Sequence, residues 1–393
     1  MTTDVAFKQR LLTPGPTAVP PQVLEEMAKP IIHHRTKAFQ AIFAELSELL
    51  QRLFVTSGPV LSIAGSGTTA YEAAQVSLIR PGSKALTIAG GKFGERWQDI
   101  YDAYAPSLGI EQVRINTPWG HAADVDQIEQ ALKEHPEISV VTVVHSETST
   151  ATCSDVRRIA ELVQKTDALL IVDGITSVGA MPVEQDAWGI DVLVTGSQKA
   201  MMLPPGLGFV GLGERALRRL EEVQPGPYYN LDLRKWVKSH AKNDVPFTPP
   251  VSLIRAQKVA CAMILSDGLE AVHKRTRGLA EASRAAFKAL GLDLVSHSPS
   301  DSVSGAYYPE GVSDSELRAA VRDGHGVHIA GGQDGRGDKW KGRIFRISHM
   351  GYVDAEDTRV ALGAIETELA ALSDSFNPEP GVAVRTFDAT LGG

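Results

Sequence analysis

The chain has 393 residues, with 39 Lys plus Arg against 47 Asp plus Glu, a net charge of −8, 43% hydrophobic residues and only two cysteines. That apolar share supports a large core and roughly two domains, which excludes a disordered chain. Cys153 and Cys261 lie far apart with no ligand-spaced histidine, so neither a disulfide framework nor a zinc or iron–sulfur site is expected, and the acidic balance argues against nucleic-acid binding.

Met1 to Arg10 mixes charges and lacks the apolar centre of a leader. No apolar run reaches the roughly 18 to 20 residues that span a bilayer, so the chain reads as cytoplasmic, neither secreted nor membrane-bound. An arm over 1–22 carries the turn-forming Thr13-Pro14-Gly15-Pro16. Phe39, Ile42, Phe43, Leu46, Leu49, Leu50 and Leu53 then recur at helical spacing, with Glu45 and Glu48 on the other face. Short apolar runs follow at Val60 to Ala64, Ala85 to Ala89, Ile110 to Ile115, Val140 to Val144, Leu169 to Val172, Val192 to Val194 and Gly208 to Leu212. Runs that are apolar on both faces suit buried strands, so the expectation is an α/β fold with a mainly parallel, roughly seven-stranded sheet covered by helices, over 23–260. Val251 to Ala289 reads as a long helical bridge into a smaller α+β domain over 261–375. Its strand candidates are Ser302 to Tyr308, Val327 to Ala330 and Ile344 to Ile347, and its helices lie near Asp314 to Val321 and Ala355 to Leu372. Residues 376–393, with Pro378, Pro380 and two terminal glycines, read as a tail that is peripheral or partly ordered.

Ligands of open α/β sheets bind beyond the carboxyl ends of the strands, which directs attention to the polar residues there. The first run ends in Gly65-Ser66-Gly67-Thr68-Thr69 ahead of a helical stretch, an arrangement that aims N–H groups at an anion, although an ordinary glycine turn has the same letters. The run ending at Val172 is followed by Asp173, and the one ending at Val194 by Thr195-Gly196-Ser197-Gln198-Lys199. An acid and a lysine leaving neighbouring strands suit pyridoxal phosphate, which needs an amine for a Schiff base and a carboxylate to hold the ring proton. Taken singly, a surface lysine and a helix-capping aspartate are the commoner explanations.

With these residues the sequence resembles the class V, fold-type I pyridoxal-phosphate aminotransferases, and within them the alanine/serine–glyoxylate group. The resemblance is carried by Leu11-Leu12-Thr13-Pro14-Gly15-Pro16-Thr17, the Gly65 to Thr69 loop, Gly90-Gly91-Lys92-Phe93-Gly94-Glu95-Arg96, and His145-Ser146-Glu147-Thr148-Ser149-Thr150. It continues through Gly196 to Lys199, Pro204-Pro205-Gly206, Phe247-Thr248-Pro249-Pro250 and Ile344-Phe345-Arg346-Ile347. It implies that Lys199 binds the cofactor and moves protons, and that Asp173 pairs with the ring nitrogen. Ser66, Gly67, Thr68 and Gln198 would hold the phosphate, Phe93 would stack on the ring, and Thr148 would meet the phenolic oxygen. Arg346 would fork the substrate carboxylate. Thr248 would reach the phosphate of a partner subunit, implying an obligate homodimer. One departure is that Asp244 to Phe247 supplies no tyrosine where some relatives have one. The implied reaction takes an amino group from serine or alanine to glyoxylate or pyruvate by a ping-pong route.

Three rivals carry specific tests. Transaminases of aminoethylphosphonate share several of these motifs, including Phe-Thr-Pro-Pro, and form the nearest alternative. A cysteine desulfurase needs a nucleophilic cysteine on a mobile loop of the C-terminal half, and neither Cys153 nor Cys261 stands in such a segment. An NAD-dependent oxidoreductase fits the glycine spacing but lacks the ribose-binding acid about 20 residues on. Arg336-Gly337-Asp338 reads as chance, and the adjacent His33 and His34 as structural rim residues rather than metal ligands.

Overall fold

The computed structural model describes residues 8–393, so residues 1–7 of the expected arm, and most of the stretch read as lacking a leader, lie outside it. The central sheet has seven strands: β1 (Val60–Gly65), β2 (Lys84–Ala89), β3 (Glu111–Asn116), β4 (Ile138–Val144), β5 (Leu169–Asp173), β6 (Val192–Gly196) and β7 (Gly206–Leu212). Their order is β1-β7-β6-β5-β4-β2-β3, and only β7 runs against its two neighbours. Every residue of β4, β5 and β6 is buried, because helices cover both faces and the strands are built from Val, Ile and Leu. The edge strand β3 instead exposes Glu111 and Asn116. A second sheet, antiparallel, contains β8 (Val303–Tyr307), β9 (Ala330–Gly331) and β10 (Ile344–Ser348), with β10 central.

Three details differ from the sequence expectation. The helical stretch from Val251 to Ala289 is two helices, Val251–Asp267 and Leu269–Ala289, parted at Gly268, whose φ of 80° suits glycine. The strand expected over Val327 to Ala330 is two short pieces. Val327–His328 pairs in parallel with Arg10–Leu11, and Ala330–Gly331 pairs with β10. The tail is not peripheral. It forms a helix, Val382–Gly392, that buries Ala383 and Phe387 in the core under the second sheet, together with Phe287, Phe345 and Leu362. Glu366 anchors its start by accepting the Ala383 N–H at 3.0 Å.

The arm links the two sheets. Beyond Arg10–Leu11, the Leu12 carbonyl accepts the Ser348 N–H at 2.7 Å, and Thr17 donates its N–H to the Gln198 carbonyl and its hydroxyl to the Lys199 carbonyl, at 3.1 and 2.8 Å. The chain entering from the second sheet thus lies directly on the loop after β6.

Candidate active site

The carboxyl edges of β1, β2, β4, β5 and β6 face one region, and five chain segments converge there. After β1, Ser66 begins the helix Gly67–Leu78, and the Thr69 hydroxyl accepts the Ser66 N–H at 3.3 Å, closing the turn. The first N–H groups of that helix lack intrahelical partners and form an anion cradle. Its walls are close. A Cβ placed on Gly67 would stand 2.8 Å from Ile175 Cδ1, and one on Gly196 would stand 3.3 Å from the Gly67 nitrogen. Gln198 presents a buried side-chain oxygen with no protein partner on this side.

After β6, the Ser197 hydroxyl donates to the Pro204 carbonyl at 2.8 Å and its N–H to the Leu207 carbonyl at 2.9 Å, fixing the loop that carries Lys199. The Lys199 amine donates to the Pro14 carbonyl. Gly15 has φ 116°, and a Cβ there would lie 2.1 Å from Lys199 Nζ, so only glycine leaves room for the amine. Burial, and then the positive charge of Arg346, pull the Lys199 amine down to about 8, against the opposing pull of Asp173.

Asp173 closes β5 with both oxygens engaged. Oδ1 accepts the Ile175 N–H and Oδ2 the Trp97 indole N–H, each at 2.8 Å. Burial pushes its carboxyl up to about 7, and the charge of Glu147 adds to that while the N–H donors oppose it. Glu147 is itself buried. It accepts the N–H groups of Phe93 and Gly94 at 3.1 and 3.0 Å and of Ser149 at 3.1 Å, so it caps the helix Lys92–Leu108 on which Phe93 stands. The Arg96 guanidinium lies 4.9 Å from the Phe93 ring centroid and donates to the Thr68 hydroxyl at 3.4 Å.

Arg346 enters from the second sheet. It sits mid-strand in β10, opposite Gly305 and Ala330, whose small side chains leave space for it. Its Nε and Nη2 donate to the Gly331 carbonyl at 3.2 and 2.6 Å, and its Nη1 to the Thr148 carbonyl. Burial lowers it to about 10, which leaves it charged at neutral pH. A guanidinium has five N–H donors, so two remain after these three contacts.

The structure therefore gathers Ser66, Gly67, Thr68, Phe93, Thr148, Asp173, Gln198, Lys199 and Arg346 around one region, with Thr148 buried and gripping Arg346 through its backbone. It does not bring Thr248 to that cluster. Thr248 is exposed, on a segment tied to Arg35 through the carbonyls of Val245 and Pro246 at 3.0 and 3.4 Å. Sequence reasoning assigned nothing to Trp97 and Glu147. The available signal for Trp97 was its place four residues after Phe93, on the same helix face. Cys261 is buried in the helix Val251–Asp267 and Cys153 is half-buried, with burial pushing both thiols up to about 12. His33 and His34 stack on each other at 5.0 Å. Among the described residues, no three His, Cys, Asp or Glu side chains gather as a metal site requires, and no helix is long and apolar enough to cross a membrane.

An amine, a buried carboxylate and a glycine-walled cradle at a helix start suit pyridoxal phosphate, and comparison with known proteins agrees. The family profile described as Aminotransferase class-V matches residues 10–357. The chain belongs to the class-V aminotransferases. Among its relatives, a protein named soluble hydrogenase, small subunit, from Synechococcus sp. is 40% identical, covering 96% of this chain and 97% of that one. An L-aspartate–glyoxylate aminotransferase from Paracoccus denitrificans is 34% identical over 93% of this chain and 91% of its own. A crystal structure of pyridoxamine–pyruvate aminotransferase from Mesorhizobium loti superposes with a TM-score of 0.91 at 29% identity, covering 99% and 98% of the two chains. As a class-V aminotransferase of fold type I, this protein depends on pyridoxal phosphate.

Proposed function

We propose that this aminotransferase takes the amino group of a small monocarboxylic amino acid, serine or alanine, and passes it to glyoxylate or pyruvate in a ping-pong cycle. The observation that carries this reading is Arg346, a buried guanidinium with two donors left, which suits one carboxylate gripped by paired hydrogen bonds. A dicarboxylic donor would require a second buried cation, and the other arginine near the ring, Arg96, is exposed.

When bound, the cofactor supplies an aldehyde for a substrate amine and a protonated ring that draws electrons from the alpha carbon. Lys199 would hold the cofactor through its amine and would serve as the base and acid that moves a proton between the substrate's alpha carbon and the cofactor's aldehyde carbon, across the intervening nitrogen. Its lowered proton affinity leaves a large neutral fraction near pH 8, which that step requires. Asp173 would hold the proton on the ring nitrogen. Ser66, Gly67, Thr68 and Gln198 would hold the phosphate, Phe93 would stack on the ring, and Thr148 would meet the phenolic oxygen. Thr248, exposed on its own protomer, reaches the phosphate of a second copy, which makes the working unit a homodimer, and the location is cytoplasmic.

The experiment is a matrix of amino donors against oxo acids, using the reconstituted full chain. Serine or alanine with glyoxylate or pyruvate should give turnover and parallel double-reciprocal lines. Turnover confined to aminoethylphosphonate, or to aspartate, would overturn the substrate assignment while leaving the aminotransferase itself in place.

A further inference from the structure

Asp173 receives more support than a strand-end acid needs, and half of it comes from one side chain. Trp97 is 1% exposed, and its indole N–H reaches Asp173 Oδ2 at 2.8 Å. Its ring stacks on Tyr71 with centroids 3.9 Å apart and planes 16° from parallel. Its backbone carbonyl accepts the Gln75 amide at 3.1 Å. Tyr71 and Gln75 belong to the helix that begins at the phosphate loop, whereas Trp97 stands one turn beyond Phe93 on the helix that Glu147 caps. Trp97 thus ties the helix after the phosphate loop to the ring acid, from the same helix that carries Phe93.

We propose that Trp97 is a positioning residue for amino transfer: its N–H fixes the plane of the Asp173 carboxylate and keeps it ionised against the pyridine nitrogen. The physical basis is that a donor aimed at a buried carboxylate favours the charged form, whereas losing it leaves an under-paired oxygen that competes for the ring proton. The Ile175 N–H cannot compensate, because it is committed to the other oxygen. Tyr71 acts one step further out, by holding the indole plane. This inference rests on Asp173 being the partner of the ring nitrogen.

The test is a pH titration of the visible absorbance of the protein loaded with pyridoxal phosphate. If the ring proton is less firmly held, the Lys199 nitrogen joined to the cofactor keeps its own proton to higher pH. Trp97→Phe should therefore move the midpoint upward by about one unit and lower kcat about tenfold, with the KM for the amino donor changing by less than about twofold. Trp97→benzothienylalanine, which keeps the ring outline and loses only the N–H, should give the same shift without disturbing packing. Tyr71→Phe, which preserves the stack, should leave the midpoint in place. An unmoved midpoint in the isosteric protein overturns the proposal, as does an equal shift in Tyr71→Phe. An unmoved midpoint in Asp173→Asn would instead sink the ring-acid role beneath it, and wild-type protein that takes up no pyridoxal phosphate would sink the cofactor assignment.

Discussion

The two sheets bring their functional groups to the same region by different means. On the seven-stranded sheet, Asp173 is the final residue of β5, and Lys199 lies three residues past the end of β6, so turn geometry after buried strands aims them. On the three-stranded sheet, Arg346 lies in the middle of β10, where pairing alone would not create room for a guanidinium. Room comes from its neighbours: Gly305 and Ala330 face it, and the carbonyls of Gly331 and Thr148 anchor it. A strand-end group is positioned by the path of the backbone, whereas a mid-strand group is positioned by what its neighbours lack.

The most severe break in that comparison is chemical. Lys199→Ala removes the strand-end amine while leaving its loop held by Ser197, and it should reduce kcat by about 10⁴-fold or more with little change in melting temperature. Borohydride reduction of the wild-type protein, followed by peptide mapping, should place the cofactor on Lys199, and the variant should give no such adduct. The next effect is structural and belongs to the second sheet. Phe387 is fully buried beneath it, so Phe387→Ala should cost about 3 to 5 kcal/mol of stability in denaturant unfolding. A loss below about 1 kcal/mol would mean that the terminal helix does not support that sheet.

The same contrast explains what was legible in the sequence. The seven apolar runs, Asp173, Lys199 and the Gly65 to Thr69 loop could be read because buried strands are continuous hydrophobic stretches and their ends are polar. Arg346 could not be read that way. In Ile344-Phe345-Arg346-Ile347-Ser348 it resembles any charged residue of a half-exposed strand, and its burial depends on Gly305 and Ala330, 41 and 16 residues earlier in the chain. Only family resemblance drew attention to it. Trp97 was hidden for a related reason, since its partner Asp173 lies 76 residues away. The tail misled because prolines and glycines dominate its ends, although Ala383 and Phe387, one turn apart, form an apolar helix face.

Substitutions around β10 sharpen the comparison with a smaller effect. Arg346→Ala should lower kcat/KM for serine or alanine about 100-fold while leaving the cofactor's absorbance intact, and Arg346→Lys should recover little, because an ammonium cannot fork a carboxylate. If small neighbours place this side chain, then enlarging one should mimic its loss in part. A Cβ on Gly305 would lie 2.9 Å from Val295 Cγ2 and 3.1 Å from Arg346 Cγ. Gly305→Ala should therefore raise the KM for the amino donor several-fold, roughly up to tenfold, at nearly constant kcat. An unchanged KM would show that the carbonyl anchors alone suffice.

The last effect concerns charge on the strand-end side and appears as pH dependence of stability in the cofactor-free protein. Asp173 is held up at about 7 by burial, against about 3.8 for an exposed carboxyl, so between those values the folded state binds the proton more tightly than the unfolded state. Its contribution to stability is complete below about pH 4 and is lost as pH rises through 7, opposite in sign to a salt-bridged acid. Asp173→Asn removes that titration. The melting temperature of the wild-type protein relative to Asp173→Asn should therefore fall from pH 4 to pH 7 in scanning calorimetry, and saturating pyridoxal phosphate should flatten the difference, because a cationic ring partner relieves the buried carboxylate. A wild-type advantage that instead grows with pH would mean that Asp173 stays ionised in the empty site, and that its two N–H donors outweigh its burial.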